Sequence, residues 1–297
     1  MHVMRVSWRA KGSDTYLSGI QVWLHEKERP EFFQLHEGTD IAWTISGPRR
    51  CIGTIDVDGL AHRCPENSLV RRGMRRCGPC SALDEMDPCI RCVGQDCVAS
   101  ETRKEHCLTT DYVVYLAVFN DETLKVGVST KKRMLTRWVE QGADFAGVIG
   151  EVRGGLEARR VEKVLGSSPL VKKQVRAKRK ALHLLTPISS ENAHSLAQRF
   201  LSSVTLPEIQ HDISLFDLSD YYNLSSLSAK PQSWRSGRTP VEGLQLVGEV
   251  VGMKGPLLLT RIASAFTVAN LSGIIGYRID DESDIIMHSQ SGLLDYL

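Results

Sequence analysis

The stretch Tyr112–Glu162, YVVYLAVFNDETLKVGVSTKKRMLTRWVEQGADFAGVIGEVRGGLEARRVE, decides how this chain is read. A strand carries Tyr115, and a second strand ends in Lys125-Val126-Gly127. A helix then carries Arg133 and Arg137, and a later helix carries Glu162. That order has the layout of a small phosphodiester-binding site. Just upstream, all eight cysteines fall between Cys51 and Cys107. The juxtaposition points to a metal-stapled protein that handles nucleic acid.

With 297 residues the chain has room for two or three modules and a sizeable core. Its 42% hydrophobic and 24% charged residues are ordinary for a globular protein, which argues against disorder and fibrous classes. The net charge of +2 says less than its distribution. Basic residues gather at Arg71–Arg76, Lys131–Arg137, Arg153–Arg160 and Lys172–Lys180. No apolar run is long enough to cross a bilayer, and MHVMRVSWRAKG lacks the core of a signal peptide. A cytoplasmic protein is expected, with no membrane partner. In that compartment CxxC pairs more often ligate metal than form disulfides.

The organisation reads as β, cysteine-rich, α/β, then β again, giving an α+β fold class. Residues 1–48 form an N-terminal β-rich region with alternating segments such as VMRVSW and YLSGIQVWLHE. Residues 49–110 are rich in Gly, Pro, Arg and Cys and hold too little apolar surface to offset their chain entropy unaided. Residues 111–204 alternate strand and helix, with Ser189-Ser190-Glu191-Asn192 as a cap before the amphipathic AHSLAQRFLSSV. Residues 205–297 begin as a long connection and return to Gly-broken strands over 243–280. The N- and C-terminal strand sets are expected to pack as one β-rich body.

Two CxxC pairs, Cys77-Gly78-Pro79-Cys80 and Cys89-Ile90-Arg91-Cys92, lie close together, with Cys51 and Cys64 before them and Cys97 and Cys107 after. The tight CxxC turn sets two thiolates about one ligand edge apart, as tetrahedral zinc requires. The preferred partition is Cys51, Cys64, Cys77 and Cys80 at one zinc, with Cys89, Cys92, Cys97 and Cys107 at another. The alternative is one site from the two CxxC pairs, with the other cysteines free. The same thiolates also serve iron–sulfur clusters. An all-thiolate zinc is coordinatively closed and therefore structural. Of the histidines, only His106, beside Cys107, has any spacing logic as a ligand.

The order Tyr115, Gly127, Arg133 or Arg137, Glu162 resembles the GIY-YIG nuclease superfamily over roughly residues 111–185. VVYLAVF stands at the GIY strand, LKVGVS at the YIG strand, and EARRVE ends in the glutamate that binds a divalent metal in that superfamily. The resemblance implies that Tyr115 assists proton transfer, that Arg133 or Arg137 stabilises the phosphate, and that Glu162 holds Mg²⁺. Val113 replaces the first glycine, Lys125 replaces the second-motif tyrosine, and Leu135 occupies the usual arginine offset. Lysine is a point cation, so Lys125 would bind phosphate better than shuttle protons. The longer string KVGVS…RWVEQGA, with the cysteines ahead and GMKG later, resembles an uncharacterised prokaryotic domain-of-unknown-function family. Its pattern implies CxxC at Cys51 and CDxC at Met86-Asp87-Pro88-Cys89. Two of its cysteines are thus absent here, with Cys64 and Cys92 as replacements and Gly255 in a turn.

Each of these residues also has a plainer role. Tyr115 can be a core aromatic, Arg137 can lie over Trp138, and Glu162 can form a surface ion pair. Lys172, Lys173, Arg176, Lys178 and Arg179 can form a solvated face, yet with Lys131 and Lys132 they also make a phosphate track. Three functions follow from the sequence. The first is a zinc-containing enzyme acting on DNA or RNA. The second is a tRNA-dependent transferase that moves an aminoacyl group to a small amine or hydroxylamine co-substrate. The third is a non-catalytic zinc module that binds nucleic acid.

Overall fold

The computed structural model describes residues 1–12, 15–25, 27, 29–233 and 241–282. The parts of the C-terminal region at 234–240 and 283–297 therefore lie outside the described residues. In chain order the strands used below are β1 (His2–Ala10), β2 (Tyr16–Trp23), β3 (Glu31–Gln34), β4 (Asp40–Ser46), β5 (Asp111–Val118), β6 (Leu124–Thr130) and β7 (Phe145–Arg153). They continue with β8 (Phe216–Asp217), β9 (Gln232–Ser233), β10 (Gln245–Lys254), β11 (Leu257–Ile262), β12 (Ala265–Asn270) and β13 (Arg278–Asp281). The helices are α1 (Gly78–Leu83), α2 (Asp87–Arg91), α3 (Glu101–Thr109), α4 (Met134–Gln141), α5 (Gly155–Leu165), α6 (Ala177–Leu182) and α7 (Ser190–Leu201). The protein is a mixed α+β structure.

The chain divides into two compact units. One comprises residues 1–54, 61–83 and 223–297, and its strands form a nine-stranded sheet in the order β9-β12-β11-β10-β4-β13-β1-β2-β3. Strands from both ends of the chain interleave there. β4 pairs antiparallel with β10 on one side and with β13 on the other. Trp43, Ile41, Ile45, Ile20 and Leu35 are wholly buried in this unit. Alternating apolar residues, legible as strands in the sequence, supply that buried face. Gly255 sits in the β10–β11 turn at φ 56°, and its carbonyl accepts the Trp8 indole N–H at 2.9 Å.

The other unit comprises residues 55–60 and 84–222 and holds a four-stranded antiparallel sheet ordered β8-β7-β5-β6. Val114, Leu116 and Val118 of β5 join Val126 and Val128 of β6 in a core with Val161 and Leu165 of α5 and Phe200 and Leu201 of α7. Ser189 caps α7, accepting from the Asn192 N–H at 3.2 Å. Side chains alternate along a strand, so Tyr115 leaves that core and meets Trp138 of α4 instead, with ring centroids 6.0 Å apart. The cysteine-rich stretch 49–110 does not form a body of its own. Residues 49–54 and 61–83 belong to the larger unit without supplying strands to its nine-stranded sheet, and 55–60 and 84–110 belong to the smaller unit.

Candidate metal centre and cationic site

Cys51, Cys64, Cys77 and Cys80 converge so that their four sulfurs lie within 4.8 Å of one another. Tetrahedral zinc with Zn–S bonds of about 2.3 Å has sulfur edges of about 3.8 Å, and Cys64 Sγ and Cys77 Sγ stand 3.9 Å apart. Backbone N–H groups of Gly53 and Cys77 donate to Cys51 Sγ at 3.4 and 3.3 Å, the pattern that favours a thiolate. Gly53 makes this turn at φ 86°, and a β-carbon there would fall 1.8 Å from the His62 carbonyl oxygen. Cys77 and Cys80 are brought together by the first turn of α1.

The thiols shift one another's ionisation in opposite directions. Burial pushes Cys51 up, and burial with the neighbouring Cys77, Cys51 and Cys64 sulfurs pushes Cys80 up. Burial raises Cys64 too, but hydrogen bonding to Ser68 and to the Cys80 and Cys51 sulfurs outweighs it, bringing Cys64 down to about 7. A dication among the sulfurs offsets the burial that raises Cys51 and Cys80 and makes all four acceptable as thiolates. The donor set therefore fits one zinc ion, which would close the coordination and supply a folding staple.

The second expected set does not gather. Among the described residues, no other group of three or more ligating side chains comes within reach of one ion. Cys89 lies within α2, while Cys92 caps it in an extended conformation at ψ 129°, so this CxxC is a helical turn and its end rather than a metal knuckle. Cys107 lies against Tyr112, and burial together with Cys107 pushes the Tyr112 hydroxyl up to about 12. Met86 stands where the family pattern implies a ligand. Cys64, by contrast, does take a place in the first cluster.

The smaller unit brings most of the other singled-out residues together. Tyr115 and Gly127 are directly opposed across β5 and β6. Tyr115 is 1% exposed, and its hydroxyl accepts from Gln141 Nε2. Gln141 Oε1 in turn accepts from Lys125 Nζ at 2.7 Å. The Gln141 carbonyl is also taken, by Lys180 Nζ. Burial pushes the Tyr115 hydroxyl up, against the influence of Arg137. Burial, then Arg137 and Arg159, bring Lys125 down to about 8, while Glu162 opposes them.

Tyr115, Lys125, Arg137, Arg159 and Glu162 thus share one electrostatic neighbourhood, in which Arg137 also meets Glu140 at 3.5 Å, so three cations stand against two carboxylates. Glu162 accepts from Arg159 Nη1 at 2.6 Å, so the single carboxylate expected to hold Mg²⁺ is already engaged by a guanidinium. Arg133 does not join the group and pairs with Glu140 at 3.1 Å. Gln141 and Arg159 carry no signal of their own in the sequence. Gln141 ends an amphipathic helix outside any motif, and Arg159 sits in a basic run that marks only charge.

Of the track residues, Lys172, Lys173, Arg176 and Lys178 are exposed. Lys132 is exposed as well, and Lys131 meets Glu151 at 2.8 Å. Arg179 meets the buried Asp121 at 2.5 Å.

Lys125 predicts a pH signature. Its folded value lies below the ordinary 10.5, so between about pH 8 and 10.5 the unfolded chain binds more protons than the folded one. This lysine therefore makes stability rise with pH across that window. Urea unfolding of the wild type and of Lys125→Met at both ends of the window checks this. The variant should lose part of the rise, and an identical rise in both would assign it elsewhere.

Fold and clusters together define a mixed α+β protein with a four-cysteine cluster that can hold one metal ion and a cationic site in the smaller unit. None of its described helices is long and apolar enough to cross a membrane. The chain belongs to the family described as protein of unknown function (DUF2797), whose model matches residues 38–279. No curated protein and no solved structure matches it.

Proposed function

We propose that the protein binds and acts on nucleic acid through a divergent GIY-YIG-like module spanning residues 111–204, with zinc as a structural staple. The observation that carries this is the meeting of Tyr115, Lys125, Arg137 and Arg159 beside Glu162, three cations that the two nearby carboxylates, Glu140 and Glu162, do not fully balance. In this reading Arg137, 47% exposed and only loosely paired with Glu140 at 3.5 Å, is the cation that meets a phosphate oxygen. Lys125 adds charge from below, fixed by Gln141, and Arg159 holds Glu162. The exposed Lys172, Lys173, Arg176 and Lys178 extend the track. Phosphate contacts release counterions, so log affinity should fall linearly with log salt.

The test is binding of single-stranded RNA, tRNA and single-stranded DNA over a salt series. Lys125→Met and Arg137→Ala should each lower affinity and reduce the salt slope by about one. No binding of any of these at low salt would end the proposal. For hydrolysis specifically, divalent-dependent cleavage should disappear in Glu162→Ala, and unchanged cleavage would remove Glu162 from the chemistry.

A second reading, a tRNA-dependent aminoacyl transfer, is favoured by two observations. Glu162 is engaged by Arg159, and Lys125 is held near 8, where an appreciable fraction is neutral. In that reaction an amine or hydroxylamine attacks the ester carbonyl of aminoacyl-tRNA, and an amide or ester bond forms. The bond to the tRNA 3′ oxygen breaks, and neutral Lys125 takes the nucleophile's proton. Incubation with charged tRNA and candidate amines should give the aminoacylated amine. Absence of tRNA binding would eliminate the reading, and binding without turnover in either assay would leave a non-catalytic module.

A further inference from the structure

A cavity of about 610 Å³ opens in the larger unit, beside the thiolate cluster and apart from every residue assigned above to the smaller unit's cationic site. Its floor is a cross-strand row. Arg278 of β13, His2 of β1 and Trp23 of β2 lie directly opposite one another on adjacent strands, and Ser46 of β4 continues the row beyond Arg278. Directly opposed residues of an antiparallel pair present their side chains on the same face. All four line the cavity. Arg50, Arg63 and His25 complete the polar wall.

Three features point to a ligand. Among the described residues the lining holds three guanidiniums and no carboxylate, with Cys51 and Cys64 of the sulfur cluster on one side. Arg50 is held by the Asn67 carbonyl at 2.7 Å, and Arg63 by the Leu24 and Lys27 carbonyls, so backbone oxygens position these guanidiniums without neutralising them. Arg63 also lies over the Trp23 ring, 4.8 Å from its centroid. Among the described residues, of these three guanidiniums only Arg278 meets an acid, Asp280, at 3.0 Å, and Arg278 remains 70% exposed there.

The second feature is a pair of orphaned polar atoms. Trp23 is 2% exposed, and its Nε1 has no hydrogen-bond partner among the described residues; His2 Nε2 is buried and likewise unpartnered there. An indole N–H can only donate, so a buried Trp23 Nε1 calls for an acceptor from a ligand, while His2 Nε2 can donate or accept according to its tautomer. The third is size, since cavities of roughly 300–1,000 Å³ are those that enclose small molecules. Burial lowers the His2 imidazole, with Arg63 and Arg50 adding to the effect, in keeping with a positive field in the cavity.

We infer that this cavity is a binding site for a phosphate monoester, held by Arg50, Arg63 and Arg278 over the His2–Trp23 row. A dianion with several acceptor oxygens matches three planar, multi-donor guanidiniums better than a lone carboxylate does. The same group is carried by a free mononucleotide and by the terminal phosphate of a nucleic-acid strand. The site does not depend on the cationic cluster of the smaller unit.

Calorimetric titration of the metal-loaded full chain with inorganic phosphate, with 5′-AMP and with a short oligonucleotide bearing or lacking a 5′-phosphate tests it. Saturable binding of 5′-AMP is expected, weakened about tenfold or more by Arg278→Gln and by Arg50→Gln, since a charge-assisted hydrogen bond contributes about 1.5–3 kcal/mol. Unchanged zinc content and far-ultraviolet circular dichroism show that the variants fold. Lys125→Met and Arg137→Ala should leave this binding intact, which separates its failure from failure of the nucleic-acid proposal. Competition by the phosphorylated oligonucleotide alone assigns the site to strand ends, and its absence assigns it to the free nucleotide. No saturable binding of phosphate or 5′-AMP, or binding that both arginine variants retain in full, overturns the inference.

Discussion

Purified protein should carry about one zinc ion per chain, and Cys77→Ser should lose it. The basis is that Cys51, Cys64, Cys77 and Cys80 close one site while Cys89, Cys92, Cys97 and Cys107 do not. Structural zinc contributes on the order of 10 kcal/mol of apparent binding free energy at neutral pH, which rivals the whole stability of an ordinary domain. Apart from Ile52, the stretch around the cluster buries little apolar surface of its own, with Leu69 and Met74 exposed. Removing one thiolate should therefore release residues 49–83 from their fold. Arg71, Arg72, Arg75 and Arg76 would then become open to trypsin, so limited proteolysis with and without chelator reads the effect directly. Cys89→Ser should leave zinc content and the digest unchanged. Loss of about half the metal in that variant would restore a second site and sink the single-centre assignment.

The second large effect is expected at Gly127. A methyl group there would fall 2.4 Å from the Tyr115 hydroxyl oxygen and 2.5 Å from the ring carbon that bears it. The ring cannot swing clear, because it is wholly buried and stands edge-on to Trp138, which is itself 1% exposed. Overpacking of this kind costs about 1–3 kcal/mol, so Gly127→Ala should lower the Tm by several degrees, at roughly 2–4 °C per kcal/mol for a unit of this size. It should also pull Tyr115 away from Gln141, and Gln141 from Lys125. Nucleic-acid affinity should fall with stability. A double-variant cycle isolates the cause. In a Tyr115→Leu background, adding Gly127→Ala should cost less than about 1 kcal/mol, because the clashing atoms are gone. Equal cost in both backgrounds would place the strain in the backbone instead.

Much of this is readable in the chain, for reasons that differ from residue to residue. The alternating strands of 3–48 and 243–280 announce a half-buried sheet because strand periodicity is local. Cys77-Gly78-Pro79-Cys80 is legible for the same reason, since its geometry is set by one turn. The Tyr115–Gly127 juxtaposition follows once two adjacent strands are paired, because the ring needs a position without a β-carbon opposite it. Cys89-Ile90-Arg91-Cys92 shares the CxxC spacing, but it is wound into α2 with Pro88 near its start, and spacing alone does not distinguish a knuckle from a helical turn. Gln141 is invisible there because its role depends on three partners distant in sequence: Tyr115, Lys125 and Lys180. The row of Ser46, Arg278, His2 and Trp23 is hidden for the same reason: it exists only through the register of four strands.

The interleaving of the nine-stranded sheet bears on how the protein is made. β4 is complete by residue 46, yet both of its neighbours, β10 and β13, come from residues 245–281. At roughly 5–20 residues per second on the ribosome, its two edges wait on the order of ten to forty seconds for partners. Closing so long a loop makes this sheet slow to assemble, whereas almost the whole of the smaller unit, residues 84–222, is contiguous and emerges first. During that interval the hydrophobic, unpaired β4 is the segment most open to pairing with another chain. Expression at lower temperature or with chaperones should therefore affect the yield of the larger unit before that of the smaller.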